Sequence, residues 1–157
     1  MTAPVMEAVS ARTLVDPAFF ARLSRRVATV HGLAQEEAEA IADQTLAYLA
    51  TSAQKADGTG QLSPSPTVDL GLHCFLEYTE AYDEFFASHG WTKVHHHPWD
   101  DPTRTYESSA VVIPRTLGAI RSAGYVVRAD LWDAERLDCS DDSDGQPGDP
   151  PPCGDHG

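Results

Sequence analysis

Between Pro66 and Gly90 the large side chains return every three or four positions: Val68, Leu72, Phe75, Tyr82 and Phe86, with Thr79 in register between them. That is the period of an α-helix that buries one side. The spacing predicts one helix over 66–90, with Thr67 as N-cap, Asp69 in the first turn where its charge suits the helix dipole, and Gly90 as the stop. No stretch of the chain alternates apolar and polar residues for long enough to make a competing sheet. A long helix with one apolar stripe needs other helices to cover it, so the expected architecture is helix packed on helix.

The rest of the chain supplies those partners. Asp16-Pro17 reads as an N-cap followed by a first-turn proline. Phe20, Leu23, Val27 and Val30 form the stripe of the helix that follows, and Gly32 ends it. A second helix, from about 33 to 52, is expected to bury Ala38, Ile41, Ala42, Thr45, Leu46 and Leu49, with Glu36, Glu37 and Glu39 loading its first turns. Residues 57–66 carry a plain loop signal, and they lack the Gly-Lys-Ser/Thr ending of a phosphate loop. Asp101-Pro102 repeats the cap-and-proline signal for a helix running to about 123, with Val111, Val112, Leu117 and Ile120 as core candidates. Pro114 is expected to kink or split it, and Gly124 to close it. The β-branched and aromatic run 125–132 is expected to pack as an arm across the bundle.

The expected fold is therefore all-α: a compact bundle of four to five helices with Phe20, Leu23, Val27, Ile41, Leu46, Leu72, Phe75, Tyr82 and Phe86 in its core. The expected organisation is a flexible N-terminus over 1–15, a helical domain over 16–136, and an Asp/Pro/Gly/Cys tail over 137–157. From residue 138 onward the tail has no large apolar side chain, so it is expected to be disordered on its own.

Charge narrows the classes of partner. The chain of 157 residues carries a net charge of −13, which argues against general binding to nucleic acid or to an anionic membrane. The distribution is uneven: residues 1–32 carry a net +2 and residues 138–157 a net −6. Arg22, Arg25 and Arg26 share one side of the first helix. They are expected to be solvated; the alternative is a patch for anions or an acidic protein partner, which the tail would visit in a transient, salt-sensitive way. No stretch is long and apolar enough to span a bilayer, and the first residues lack the regions of a signal peptide, so a cytoplasmic location is expected. Cys74, Cys139 and Cys153 are an odd number of cysteines and fit no disulfide scaffold. Cys74 is expected to act as a small packing residue.

The chemistry-bearing residues gather around the central helix. Asp69, His73, Glu77, Glu80 and Glu84 recur on a second face, which is expected to point to water. Within it Asp69 and His73 are an i,i+4 pair, the spacing that puts two ligands on adjacent turns of one face. His95-His96-His97-Pro98 follows the helix, close enough for a turn to fold it back toward that pair. Asp69, His73, His96 and His97 are thus candidate ligands for a transition metal such as Zn²⁺. Cys139, Cys153 and His156 form a second candidate set, with nonstandard spacing. Asp142 and Asp144 lie in a segment that fails as a calcium loop, because Ser140 and Pro151 stand at its essential acidic places. No Gly-x-Ser-x-Gly, His-Glu-x-x-His or Cys-x-x-Cys motif is present, so no nucleophile–base constellation is legible.

The run Val68-Asp69-Leu70-Gly71-Leu72-His73, then Tyr82 and Phe85, then Gly90 and His96-His97-Pro98, resembles the glycine-rich-domain-containing-protein-like family. The resemblance extends over about 65–132, including Ala123-Gly124-Tyr125 and Leu131-Trp132. Leu72 stands where the family has a tryptophan, and Phe75 where a second histidine often stands. The resemblance implies an all-helical domain and no settled chemistry. Three functional expectations follow: a helical interaction or accessory domain, a metal-binding protein using Asp69, His73 and a histidine of 95–97, or a carrier that presents the Cys-containing tail to a protein partner or modifying enzyme.

Overall fold

The Asp16 carboxylate accepts from the amide of Ala18 at 2.7 Å, Pro17 occupies the first turn, and Gly32 adopts the left-handed conformation (φ 63°) that ends the helix. These residues bound α1 (Pro17–His31), as their order in the sequence predicts. The computed structural model describes residues 6–97 and 100–133. Four further helices follow: α2 (Gln35–Gln54), α3 (Pro66–Leu76), α4 (Thr79–His89) and α5 (Ser109–Ser122). Among the described residues there is no strand, only an isolated parallel bridge between Val9 and Tyr125. None of the described helices is long and apolar enough to cross a membrane. The all-α bundle is as expected; the tail assigned to 137–157 lies outside the described residues.

The bundle is built around α2. Every residue from Ala40 to Thr51 is buried, because α1, α3, α5 and a short 3-10 turn at Ala11–Leu14 cover it from all sides. A helix covered all round has to satisfy its polar side chains internally. Asp43 accepts from the Ser10 hydroxyl and from the amide of Arg12, the latter at 3.0 Å. Gln44 donates to the carbonyl of Val126 at 2.8 Å, and its Oε1 accepts from the Arg128 amide at 3.0 Å and from Trp132 Nε1 at 2.8 Å. The hydroxyl of Thr45 donates to Ile41 O at 2.8 Å and approaches Val68 O at 3.1 Å. These bonds tie both ends of the described chain to α2. Residues 9–15, expected to be loose, instead lie against the bundle with Ala11 fully buried. The arm at 125–132 packs as expected, with Leu131 and Trp132 buried.

α2 and α3 approach closely at Gly71. A Cβ added there would lie 2.2 Å from Thr45 Oγ1 and 3.0 Å from Ile41 Cγ2. The missing side chain is what lets the two helices touch.

The single helix expected over 66–90 is two. Ser65, not Thr67, caps α3: its hydroxyl accepts from the Val68 amide at 3.1 Å, with Pro66 in the first turn. The helix stops at Leu76, where the amides of Glu77 and Tyr78 turn back to the carbonyls of Cys74 and Phe75 and Tyr78 leaves helical geometry (φ −92°, ψ 70°). The break has a packing cause. The Tyr78 ring meets Phe19 edge-on at 5.6 Å beneath the Arg22 guanidinium. α4 can then lay Tyr82 and Phe85 back against Phe75, at ring separations of 5.2 and 5.8 Å. A straight helix would carry those rings away along its axis at about 1.5 Å per residue.

α5 begins at Ser109, not at Asp101. The Asp101 carboxylate accepts from the amide and hydroxyl of Thr103 at 2.9 and 2.6 Å, closing a local turn. Residues 103–108 offer no apolar stripe to hold a helix beyond it. Pro114 does not split α5, which runs continuously past it with Pro114 on the exposed side. Two expected core residues are outside the core. Val30 is 48% exposed and Val111 is 52% exposed, because the covered stripes run through Phe20, Ser24 and Val27 and through Val112, Thr116 and Ile120. The nine core residues named from the sequence are all buried.

Candidate metal centre

Ser65 sets the start of α3 twice over, accepting from Val68 N and donating its own hydrogen to Leu131 O at 2.6 Å. Asp69 then falls in the first turn, where the helix dipole favours a carboxylate. His73 follows one turn later on the same side. The two differ in environment: the Asp69 side chain is 5% exposed and that of His73 is 53% exposed. His73 Nε2 lies 3.1 Å from Asp69 Oδ2.

The third member comes from the loop after α4. Gly90 ends α4 in the left-handed conformation, and the amide of Trp91 returns to Phe86 O at 2.9 Å. The Trp91 ring stacks on His89 with centroids 4.3 Å apart. Further on, the Tyr82 hydroxyl donates to Val94 O at 2.5 Å. This anchoring brings residues 94–96 back over α3, where His96 Nε2 lies 3.2 Å from His73 Nε2 and the two rings meet edge-on at 4.9 Å. One ligand atom from each of Asp69, His73 and His96 lies within 4.8 Å of the other two.

A ring nitrogen carries either a hydrogen or a lone pair. His73 Nε2 faces both a carboxylate oxygen and a second imidazole nitrogen, so one hydrogen on it cannot make a straight bond to each. A cation resolves the arrangement, because all three atoms can then offer lone pairs to one point. Tetrahedral Zn²⁺ with bonds of about 2.0–2.2 Å separates its ligand atoms by roughly 3.3–3.5 Å. The separations of 3.1 and 3.2 Å are close to that edge length. Two imidazoles and one carboxylate suit zinc and other first-row transition metals.

A cleft of about 230 Å³ opens beside the triad, with Tyr48, Lys55, His95, His97 and Arg104 among its lining residues. The Tyr48 hydroxyl is pushed up to about 12, chiefly by burial; a hydrogen bond with Ser52 pulls the other way and the Asp69 charge adds to the rise. Burial likewise raises Tyr82, with smaller contributions from Tyr48 and Asp83. Both phenols keep their hydrogens through the neutral range and act there as donors.

Of the candidates named from sequence, the fold brings together Asp69, His73 and His96. His97 lies on the cleft wall, its ring 6.4 Å from that of His95, and contributes no atom to the cluster. Cys139, Cys153 and His156 lie outside the described residues. Asp69, expected on a water-facing stripe, is buried, on the wall of a cleft that it shares with the loop residues 62–64 and 94–96 and with Tyr48 of α2. The break after Leu76 also dissolves the long polar face. Glu77 pairs with Arg26 at 2.6 Å, and Glu84 stands beside Leu14 and Phe19. Cys74 is buried as expected, its sulfur 3.8 Å from His31 Nε2, and burial raises its thiol. Arg22, Arg25 and Arg26 line a shallow surface depression with Thr29 and Tyr78. Tyr48, Lys55 and Arg104 were not singled out from sequence, since nothing in their spacing links α2, the loop after it and the loop at 100–108. Comparison with family models, curated proteins and solved structures found no match to this chain.

Proposed function

We propose that this domain binds one divalent transition-metal ion, such as Zn²⁺, through a carboxylate oxygen of Asp69 and the Nε2 atoms of His73 and His96. The observation that carries the reading is the approach of His73 Nε2 to both of the other ligand atoms, at 3.1 and 3.2 Å, across two separate elements of the fold. Bound there, the metal would pin the loop at 91–97 to α3 and retain at least one position for water or another ligand. The resemblance to the glycine-rich-domain-containing-protein-like family belongs to the same proposal, since Asp69, His73 and His96 are among the residues that carry it. The proposal concerns a binding site and assigns no reaction.

Elemental analysis and native mass spectrometry of untagged protein, stripped and then reloaded with Zn²⁺, test it. The expected result is one metal ion per chain. Asp69→Asn, His73→Ala and His96→Ala should each weaken uptake about 100-fold or more, since even residues behind metal ligands are worth 10–100-fold. Helix content should be unchanged. A wild-type protein that takes up no metal and melts identically with and without a chelator would overturn the reading, as would uptake indifferent to all three substitutions.

A further inference from the structure

We infer that the cleft beside Asp69, His73 and His96 receives a small oxyanion, a carboxylate or a phosphate, held jointly by the bound metal and by Lys55 and Arg104; this inference rests on the metal-binding reading above. Its starting point is the charge of the cleft wall. The chain as a whole carries −13, yet among the described residues lining this cleft Asp69 is the one acid, set against Lys55, Arg104 and the histidines 95–97. The Asp69 charge is already committed to the metal.

Among the described residues Lys55 has no carboxylate within ion-pair distance, and Arg104 has one, at the long end of that range. Lys55 Nζ donates to the carbonyl of Gly60 at 2.8 Å, which orients the ammonium and leaves its charge and its remaining hydrogens. Arg104 Nε is 3.8 Å from Asp101 Oδ2, an ion pair too long for a hydrogen bond, so the guanidinium keeps its forked face. The Asp101 charge offsets that of Arg104 in part. Counting the pair as neutral, a divalent ion, one carboxylate and one ammonium still leave the cleft positive. The Tyr48 hydroxyl on the same wall already donates to Leu62 O at 3.4 Å, so the anion's donors are those of Lys55 and Arg104.

Size supports a small ligand. The volume of about 230 Å³ lies below the range of roughly 300–1,000 Å³ for drug-sized ligands. A carboxylate or phosphate oxygen would complete the metal's coordination, while its other oxygens meet the ammonium and guanidinium donors. A neutral ligand of equal bulk would leave the Lys55 ammonium without a counter-charge and the Arg104 charge only partly offset by Asp101.

The Co²⁺-loaded full chain gives a readout for both readings, because cobalt absorption reports uptake and any change of ligand at the metal. Inorganic phosphate, malonate and, as neutral control, glycerol are titrated into wild type and into Lys55→Gln/Arg104→Gln. Both changed residues are exposed, so folding should be unaffected. The expected result is that phosphate or malonate shifts the cobalt spectrum and glycerol does not. The double variant should take up Co²⁺ normally but bind the anion about tenfold more weakly. Which anion binds more tightly distinguishes a phosphate source from a carboxylate source. If Co²⁺ binds and neither anion alters the spectrum at millimolar concentration, or if the double variant binds the anion as wild type does, this inference fails and the metal site stands. If wild type takes up no Co²⁺, both readings fail together.

Discussion

Gln44 and Asp69 are both buried polar side chains, on two helices that meet at Gly71, yet their surroundings are opposite in kind. Around Gln44 the protein supplies complementary partners: two N–H groups for Oε1 and a carbonyl for Nε2. Around Asp69 it supplies two imidazole nitrogens in a row, each able to offer a lone pair. The first set is closed within the fold and needs nothing from outside. The second directs atoms of the same kind at one another, an arrangement that a cation stabilises. The difference separates a polar cluster that holds the fold from one that suits a ligand, and it is a difference in donor–acceptor balance rather than in burial.

The comparison breaks most visibly at Gln44. Gln44→Leu keeps the volume but leaves Trp132 Nε1, the Arg128 amide and the Val126 carbonyl without their partner. The expected loss is about 3–5 kcal/mol, at about 1–3 kcal/mol for each buried group left unsatisfied. Urea denaturation should show it, and metal uptake by the folded fraction should be unchanged. Gly71→Ala tests the crossing that joins the two regions. The added methyl meets Thr45 Oγ1, and overpacking of this kind costs about 2–3 kcal/mol. Because the clash displaces α3, this variant should weaken metal uptake as well, and Thr45→Ala in the same chain should restore part of both. Gly71→Ala with wild-type stability would show that the helices part without penalty and that Gly71 does not position Asp69.

These two positions also mark how far the sequence could be read. The apolar stripes predicted the all-α bundle and its core from Phe20 to Phe86, because 3.6-residue spacing is a local property. The α1 cap was legible for the same reason: Asp16, Pro17 and Gly32 act within one turn of themselves. The break at Glu77–Tyr78 was not, since no glycine or proline marks it. It arises from contacts of Tyr78 with Phe19 and Arg22, more than fifty residues away in the chain. Asp101-Pro102 misled in the opposite sense, having cap chemistry without a stripe behind it. Asp69 and His73 were found by their spacing and His96 by its place after the helix. The burial of Asp69 was hidden, because its neighbours on the cleft wall come from α2, α4 and two loops, which spacing along α3 does not report. Tyr48, Lys55 and Arg104 enter the cleft only through tertiary folding, and one-dimensional spacing carries no trace of that.

Tyr48 stands between the two regions, on α2 yet lining the cleft beside Asp69, and it gives the comparison a dependence on pH. Its folded value, about 12, lies above the ordinary 10.0. A raised value means that the folded state holds the hydrogen more tightly than the unfolded chain does. The associated stability is fully present below pH 10 and is lost as pH climbs toward 12. The loss is on the order of 2 kcal/mol. Denaturation midpoints should fall over this alkaline window, and Tyr48→Phe should flatten the fall, leaving the part due to Tyr82 and Tyr125, which burial also raises. An unchanged slope in Tyr48→Phe would place the alkaline sensitivity elsewhere.

The smallest effect on stability is expected at His73, and its smallness is informative. The side chain is more than half exposed, and its ring contact is with His96 at the surface rather than with the aromatic core. In metal-free protein His73→Ala should therefore change stability by no more than about 0.5 kcal/mol, the ordinary range for surface substitutions. In the presence of metal the two proteins should diverge. Free metal at 100 times the dissociation constant stabilises wild type by about 2.7 kcal/mol, and a variant that has lost the site gains none of it. Thermal melts of both proteins, stripped and metal-loaded, separate the cases. Coincident metal-free melts with a metal-dependent rise in wild type alone are the expected pattern. A loss of more than about 2 kcal/mol in metal-free His73→Ala would mean that the Asp69–His73 contact holds the fold as Gln44 does. The contrast between the two clusters would then disappear.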